Sequence, residues 1–258
     1  MINKNGNIII IGIGGCSRCG KTKLTKELIQ QYINLTQSNS NFCNVCSSIH
    51  LDRYFDREKI NKNIFKTTKG NIYRNWEFPG SLNWDEFYLT IKNKLAEMNE
   101  NIKNNFGPNK KGILIIEGFL LFSPEFEKYK EEKNNYLNLF DYYIYICLDK
   151  KIAKERRMKT TRVANDYYDE ILWPHHIKYC TEYIQFFEYI IERNKNILII
   201  DGNKEYEIKL MALCILKWLN VIISFNPNSN CNELYIKLFT DLGSQINAFL
   251  KDLSDFLS

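Results

Sequence analysis

Ile8-Ile9-Ile10-Ile11-Gly12-Ile13-Gly14-Gly15-Cys16-Ser17-Arg18-Cys19-Gly20-Lys21-Thr22-Lys23-Leu24 is the stretch that decides the fold. From Asn7 to Ile13 the chain is continuously apolar and rich in isoleucine. A run without polar alternation suits a strand buried on both faces of a parallel sheet. Gly15 to Thr22 then fits the spacing G-x-x-x-x-G-K-[ST]. Behind it, Leu24, Leu28, Ile29 and Ile33 recur at helical spacing over 21–33. Strand, glycine-rich loop and helix in that order are the context in which the spacing means phosphate binding. The glycines let the backbone curl until its N–H groups converge on phosphate oxygens, and the helix N-terminus adds a positive partial charge. Lys21 is expected to reach the outer phosphates and the Thr22 hydroxyl to ligate Mg²⁺. Gly15, Cys16, Ser17, Arg18, Cys19, Gly20, Lys21, Thr22 and the adjoining Lys23 are therefore read as the cradle for ATP.

Outward from this unit the pattern repeats. A second strand is expected over 45–51, ending at Asp52, and a third over 113–116, ending at Glu117-Gly118. Two more are expected over 142–148 and 196–200, the last ending at Asp201-Gly202. Helices are expected over 21–33 and 83–103, from Lys150 to Lys159, and over 173–193. The segment from Arg53 to Ser81, with Gly70, Pro79 and Gly80, reads as irregular. Alternation of strands and helices implies an α/β fold: a three-layer P-loop architecture, its parallel sheet flanked by helices. Gly14, Asp52, Glu117 and Asp201 fall at the carboxyl ends of strands, where such sheets bind ligands. The expected organisation is a kinase-like domain over 1–204, with a small lid at about 150–170. A helical extension over 205–258 is expected to pack on it.

With 258 residues, 45% hydrophobic and 25% charged, the chain has the composition of a globular protein able to bury a sizeable core. A net charge of +5 suits a polyphosphate site but is too dispersed to argue for nucleic acid. The most apolar later stretch, from Leu210 to Phe225, is interrupted by Lys217 and Asn220 and is shorter than a membrane span requires. No signal or transit pattern precedes the first strand, so a cytoplasmic protein is expected, as monomer or homodimer. Among eight cysteines, Cys16-x-x-Cys19 and Cys43-x-x-Cys46 have the spacing of zinc ligands. The first pair lies inside the phosphate loop, whose backbone must wrap a ligand, so its side chains are read as spacers and not as metal ligands.

Four further features bear chemistry. Glu117 follows an apolar run and stands where a carboxylate organises Mg²⁺ beside a P-loop. Asp52 faces the nucleotide from the acceptor side and can take a proton from an attacking hydroxyl or order a metal-bound water. Its bland alternative is a turn aspartate. Lys154, Arg156, Arg157, Lys159 and Arg162 form a basic cluster. Alone it would be a solvated helix face, but beside a P-loop it reads as a lid that neutralises phosphate charge. Trp76-Glu77 pairs an aromatic ring with a carboxylate, which suits a nucleoside, against the plainer reading of a core tryptophan.

Several of these segments together resemble one family. Ile113-Leu114-Ile115-Ile116-Glu117-Gly118-Phe119-Leu120-Leu121-Phe122 resembles the corresponding region of nicotinamide riboside kinases. So do His50-Leu51-Asp52-Arg53-Tyr54-Phe55, Thr161-Arg162-Val163, Tyr167-Tyr168-Asp169 with Trp173-Pro174, and Ile199-Ile200-Asp201-Gly202-Asn203-Lys204. The resemblance implies a P-loop kinase that transfers phosphate from ATP to the 5′-hydroxyl of nicotinamide riboside, giving nicotinamide mononucleotide for NAD synthesis. It implies catalytic roles for Asp52, Lys21, Glu117 and Arg162, and metal contacts from Thr22, Asp52 and Glu117. Asp201, Gly202 and Asn203, with Arg162, are implied on the ATP side. Asp52, Arg53, Tyr54, Phe55, Trp76, Glu77 and Lys159 are implied on the acceptor side.

The chain departs from the family pattern on that acceptor side. Trp76-Glu77 stands for a tyrosine–aspartate pair, Lys159 and Met158 for two arginines, and Ala164 for an aromatic residue. A lysine does not reproduce an arginine's planar fork. A uridine–cytidine or other nucleoside kinase therefore stays open, as does a nucleotide-binding protein without catalysis.

Overall fold

A computed structural model describes residues 7–36, 41–122, 139–160, 163–179, 196–205, 207–219 and 221, and the structural statements below concern these residues. The isoleucine run becomes strand β1 (Ile8–Gly15), whose Ile10, Ile11 and Ile13 are fully buried although they alternate between faces. Helix α1 (Lys21–Thr36) follows the loop and β2 (Phe42–His50) follows α1. Strands β5 (Lys111–Glu117), β6 (Tyr142–Cys147) and β7 (Asn196–Asp201) complete one sheet in the order β2-β5-β1-β6-β7, every neighbouring pair parallel. The expected α/β parallel fold is thus present, with β1 at its centre. Parallel pairing requires crossovers, and helices supply them on both faces. Ile11 and Ile113 pack toward α1, whereas a side chain at Gly112 would point at Ile102 of helix α3 (Trp84–Asn105).

Between β2 and α3 the chain is more ordered than its composition suggests. A short 3₁₀ turn (Leu51–Tyr54) leads into α2 (Arg57–Lys62), capped by Asp56, whose Oδ1 accepts from the Glu58 and Lys59 amides at 3.1 and 3.2 Å. A hairpin of β3 (Ile64–Lys66) and β4 (Ile72–Arg74) follows. Its strands are too short, and Ile64 and Ile72 too exposed, to print an alternating pattern in the sequence.

Helix α4 (Lys150–Thr160) lies where the charged helix is expected. The next helix starts earlier than Trp173. It opens at Asn165–Tyr167, widens into a π-turn over Tyr168–Leu172, and runs on through 173–179; we call 165–179 α5. Pro174 follows the π-turn and has no N–H to donate, so the wide turn occurs where the α-helical ladder must lose a bond. The remainder of the expected 173–193 helix lies outside the described residues. So does most of the 205–258 extension, but α6 (Ile208–Trp218) is described. It packs along α1, with Met211, Ala212, Cys214, Ile215 and Leu216 buried. Among the described residues no helix is long and apolar enough to cross a membrane.

Candidate active site

The loop after β1 is built on two glycines that no other residue could replace without strain. Gly15 has φ +135°, and a Cβ there would sit 2.5 Å from the Ile146 carbonyl oxygen. Gly20 has φ +109°. Arg18 adopts φ +68°, in the left-handed region, a conformation that persists for a non-glycine residue only when its surroundings impose it. The Cys19 amide closes the intervening turn onto the Cys16 carbonyl at 3.3 Å. Lys21 opens α1 but is almost wholly buried, its Nζ donating to the carbonyls of Gly15 and Cys16 at 3.1 and 3.0 Å. Burial disfavours its charge. The Cys19 sulfur and the carboxylates of Asp52 and Glu117 outweigh that, and its pKa lies above the ordinary lysine value.

The loop cysteines lie beneath the turn, 2% and 5% exposed, while Cys43 and Cys46 belong to the opening of β2, at the other end of the sheet. Burial alone would raise the Cys19 thiol. The hydrogen bond to Cys16 and the neighbouring Lys21 charge overcome it and bring the thiol down to about 7.

Glu117 ends β5, in register with Ile13 of β1 on one side and His50 of β2 on the other. Its Oε1 accepts from the Thr22 hydroxyl at 2.6 Å and from His50 Nδ1 at 2.6 Å. Asp52, in the 3₁₀ turn just past β2, lines a cleft together with Lys21 and Thr22. It is ringed by protein closely enough for desolvation to raise its carboxyl above the usual range. Glu117 adds to that rise, whereas Lys21, Arg157 and His50 oppose it. Thr22, Asp52 and Glu117 offer only hard oxygen donors. Mg²⁺ characteristically takes one or two carboxylates and leaves its other positions to waters and phosphates, and this donor set fits that habit.

The cleft holds about 600 Å³ and joins two halves. One half is the loop, with Lys23 and Lys26 of α1. The other is aromatic. Phe55 meets Trp76 edge-on at 5.2 Å and lies 5.9 Å from Phe119, and all three line the cavity. Glu77 lines it beside them; Tyr167 of α5 donates to its Oε1 at 3.2 Å, and the Glu77 amide donates to Asn75 Oδ1 at 3.0 Å. Desolvation pushes the Glu77 carboxyl up to about 7, with Arg157 and the Tyr167 hydroxyl pulling the other way. Arg157 of α4 closes the junction, its Nη1 donating to Ser17 Oγ at 2.8 Å.

The remaining expected site residues lie elsewhere. Lys159 is exposed on α4 and Arg53 is exposed on its turn, and neither lines the cleft. Tyr54 packs its ring against Phe87 at 5.1 Å, also outside the cleft lining. Asp201, Gly202 and Asn203 gather at the start of α4 instead of lining the cleft. Asn203 Oδ1 accepts from the Asp149 amide at 2.9 Å, and the Gly202 carbonyl accepts from Arg156 at 2.9 Å. Arg162 lies outside the described residues. Conversely, His50, Phe119 and Tyr167 take part in the site without having been singled out in the sequence. All three stand in stretches that resemble nicotinamide riboside kinases, but nothing in their spacing signals a contact. Arg157 belonged to the basic cluster with nothing to set it above its neighbours.

No family model matches the chain. Among curated proteins it is similar to nicotinamide riboside kinase 2 of Mus musculus, 26% identical over 189 residues that cover 67% of this chain and 80% of that protein. It is likewise similar to nicotinamide riboside kinase 2 of Homo sapiens, 25% identical over 206 residues that cover 77% of this chain and 76% of that one. Among solved structures it aligns with a shikimate kinase from Bacteroides thetaiotaomicron at 12% identity and a TM-score of 0.37, covering 82% of this chain and 98% of that one. The two curated similarities point to kinases. The structural likeness adds nothing to the fold read from the sheet itself.

Proposed function

We propose that this protein is an ATP-dependent kinase acting on the 5′-hydroxyl of a ribonucleoside, with nicotinamide riboside as the favoured acceptor and nicotinamide mononucleotide as the product. The observation that carries this reading is the meeting, in one cleft, of a P-loop lysine and threonine, the Asp52 carboxylate and the Trp76-Glu77 aromatic–carboxylate pair, with buried Glu117 held on the Thr22 hydroxyl behind them. The curated similarity supports nicotinamide riboside as the acceptor.

The reaction forms a bond between the acceptor oxygen and the terminal phosphorus and breaks the bridge to ADP; the hydroxyl proton leaves to a base. Asp52 is the base, and a carboxyl raised above its usual range binds that proton more readily than an ordinary aspartate. Lys21 leaves the Gly15 and Cys16 carbonyls to meet the phosphates, and the loop amides hold the rest of the chain of phosphates. Arg157 and the lid arginine Arg162 neutralise transferring charge. Bound at Thr22, Asp52 and Glu117, Mg²⁺ would neutralise charge between the phosphates. Phe55, Trp76 and Phe119 stack on the base, and Glu77 accepts from ribose hydroxyls.

A second reading, a uridine–cytidine or other nucleoside kinase, is favoured by one observation. Lys159, which stands for a family arginine beside the ribose, is exposed and does not line the cleft. ATP turnover with a panel of nicotinamide riboside, uridine, cytidine and adenosine, followed by mass identification of the product, separates the readings. Brisk uridine turnover with little from nicotinamide riboside would replace the first by the second. No turnover with any riboside would leave a nucleotide-binding protein.

A further inference from the structure

His50 is joined to Glu117 by one of the shortest side-chain hydrogen bonds in the site, and the mechanism above gives it no task. It is the last residue of β2 and pairs with Glu117 in the β2–β5 ladder, so the two side chains rise from neighbouring strand ends. Nδ1 lies 2.6 Å from Glu117 Oε1, and Nε2 lies 3.2 Å from Ser48 Oγ, one strand repeat back. An ionised carboxylate only accepts, so the Nδ1 proton must point at Glu117. A neutral ring then presents the Nε2 lone pair to the Ser48 hydroxyl. Ser48, His50, Glu117 and Thr22 thus form a continuous chain from the edge of the sheet to the start of α1.

Both donors fall on the same oxygen of Glu117. Thr22 alone would let the carboxylate rock about its terminal torsion, which is broad and weakly restrained. A second donor, carried by a different strand, fixes the plane of the group. With Oε1 saturated, Oε2 is the oxygen left for a metal or its water. We propose that His50 is a positioning residue that holds Glu117 in the orientation a Mg²⁺–nucleotide requires. This rests on the reading of the cleft as a Mg²⁺–nucleotide site. Partners that orient metal-bound groups in this way characteristically shape affinity without touching the metal.

Replacing His50 by Asn puts an amide N–H near the place of Nδ1, whereas Gln puts it near Nε2. Calorimetry on the full chain, with ADP in EDTA and ADP with Mg²⁺, reads the metal-dependent gain in affinity without turnover. His50→Ala is expected to cut that gain roughly 10-fold while ADP in EDTA binds within about twofold of wild type. His50→Asn is expected to restore most of the gain and His50→Gln not. An unchanged gain in His50→Ala overturns the proposal, as does equal rescue by Asn and Gln, the result expected of a residue that only fills space. If His50→Ala does not fold, the comparison of Asn with Gln decides the matter. A wild-type chain that binds ADP equally with and without Mg²⁺ overturns the Mg²⁺–nucleotide reading itself, and this inference with it.

Discussion

Asp52 and Glu77 are both carboxyls raised above their usual range by desolvation in the cleft they line, although Asp52 is exposed and Glu77 half-buried. Asp52→Asn keeps the shape and removes the base. ATP affinity should change little while turnover falls about 100-fold or more, the scale of a lost general base. Turnover left intact would take Asp52 out of the proton transfer. Glu77 makes a pH prediction. Its carboxyl titrates near 7, above the ordinary glutamate value, so the folded chain holds its proton to higher pH than the unfolded chain does. The stability this group contributes is complete at acid pH and is lost as pH rises toward 7, as the half-buried carboxylate forms. Acceptor binding runs the other way, because only the carboxylate is purely an acceptor for ribose hydroxyls. The KM for nicotinamide riboside should fall as pH rises from 6 to 8, and Glu77→Gln should flatten that profile, measured at saturating ATP. At this scale what the sequence makes legible is position, at strand ends and at the start of α1. Lys21, Thr22, Glu117 and Asp52 follow from motif and position. It did not mark Arg157 over Lys159, because their difference is one of helical phase. Two residues turn a helix by about 200°, so one faces Ser17 and the other faces solvent. Nor could spacing show His50 on Glu117 or Tyr167 on Glu77, which are contacts across 67 and 90 residues.

Among the elements that sequence patterning could not reveal is the β3–β4 hairpin, and side-chain bonds to α5 show why. Buried Asp166 accepts from Thr67 Oγ1 at 3.0 Å, Asn71 Nδ2 at 2.7 Å and Tyr73 Oη at 2.9 Å. These bonds, with that from Asn71 the strongest, hold its carboxyl down at about 2. Glu170 grips Thr68 twice, at the amide (2.7 Å) and the hydroxyl (2.8 Å). The hairpin runs directly into Trp76-Glu77, and Tyr167 stands next to Asp166. Asp166 therefore sets the spacing between two members of the acceptor wall. Asp166→Asn would turn an amide N–H toward donors that need an acceptor. The expected result is a KM for the acceptor raised about 10-fold with the KM for ATP nearly unchanged, the scale expected when hydrogen bonds to a charged group lose their acceptor. Steady-state kinetics with each substrate varied in turn checks it, and an equal rise in both would place the effect in the fold at large. The same reasoning explains why β1, α1, β5 and β6 were legible. Their order comes from buried apolar periodicity, which a sequence displays, whereas the hairpin's order comes from pairings with residues about 100 positions away.

For the molecule as a whole, the division expected at 204 meets an argument from packing. From sequence pattern alone, a core ending at Lys204 is expected, with a separate apolar helical pattern beyond it. Yet α6 lies along α1, the helix that begins with Lys21 and Thr22 of the glycine-rich loop motif. Met211, Ile215 and Leu216 of α6 are buried, and Trp218 meets Tyr142 of β6 at 5.0 Å. Burying each of the three aliphatic side chains contributes roughly 1.5–3 kcal/mol, against a total stability of about 5–15 kcal/mol for a domain. A chain ending at 204 would also lack Leu216, which closes the space between the sheet and Leu28, Ile29 and Tyr32 of α1. Truncation at 204 should therefore fail to give an autonomous kinase domain. The expected outcome is loss of a cooperative thermal transition and of nucleotide binding together. A shorter cut after Val221, which keeps α6, should retain more of both. A truncated 1–204 chain that melts cooperatively and binds ATP as the full chain does would restore the boundary at 204 and make α6 an appendage. If instead α6 is needed, the anchoring of α1 that aims Lys21 and Thr22 extends to a helix that no nucleotide-binding motif would have included.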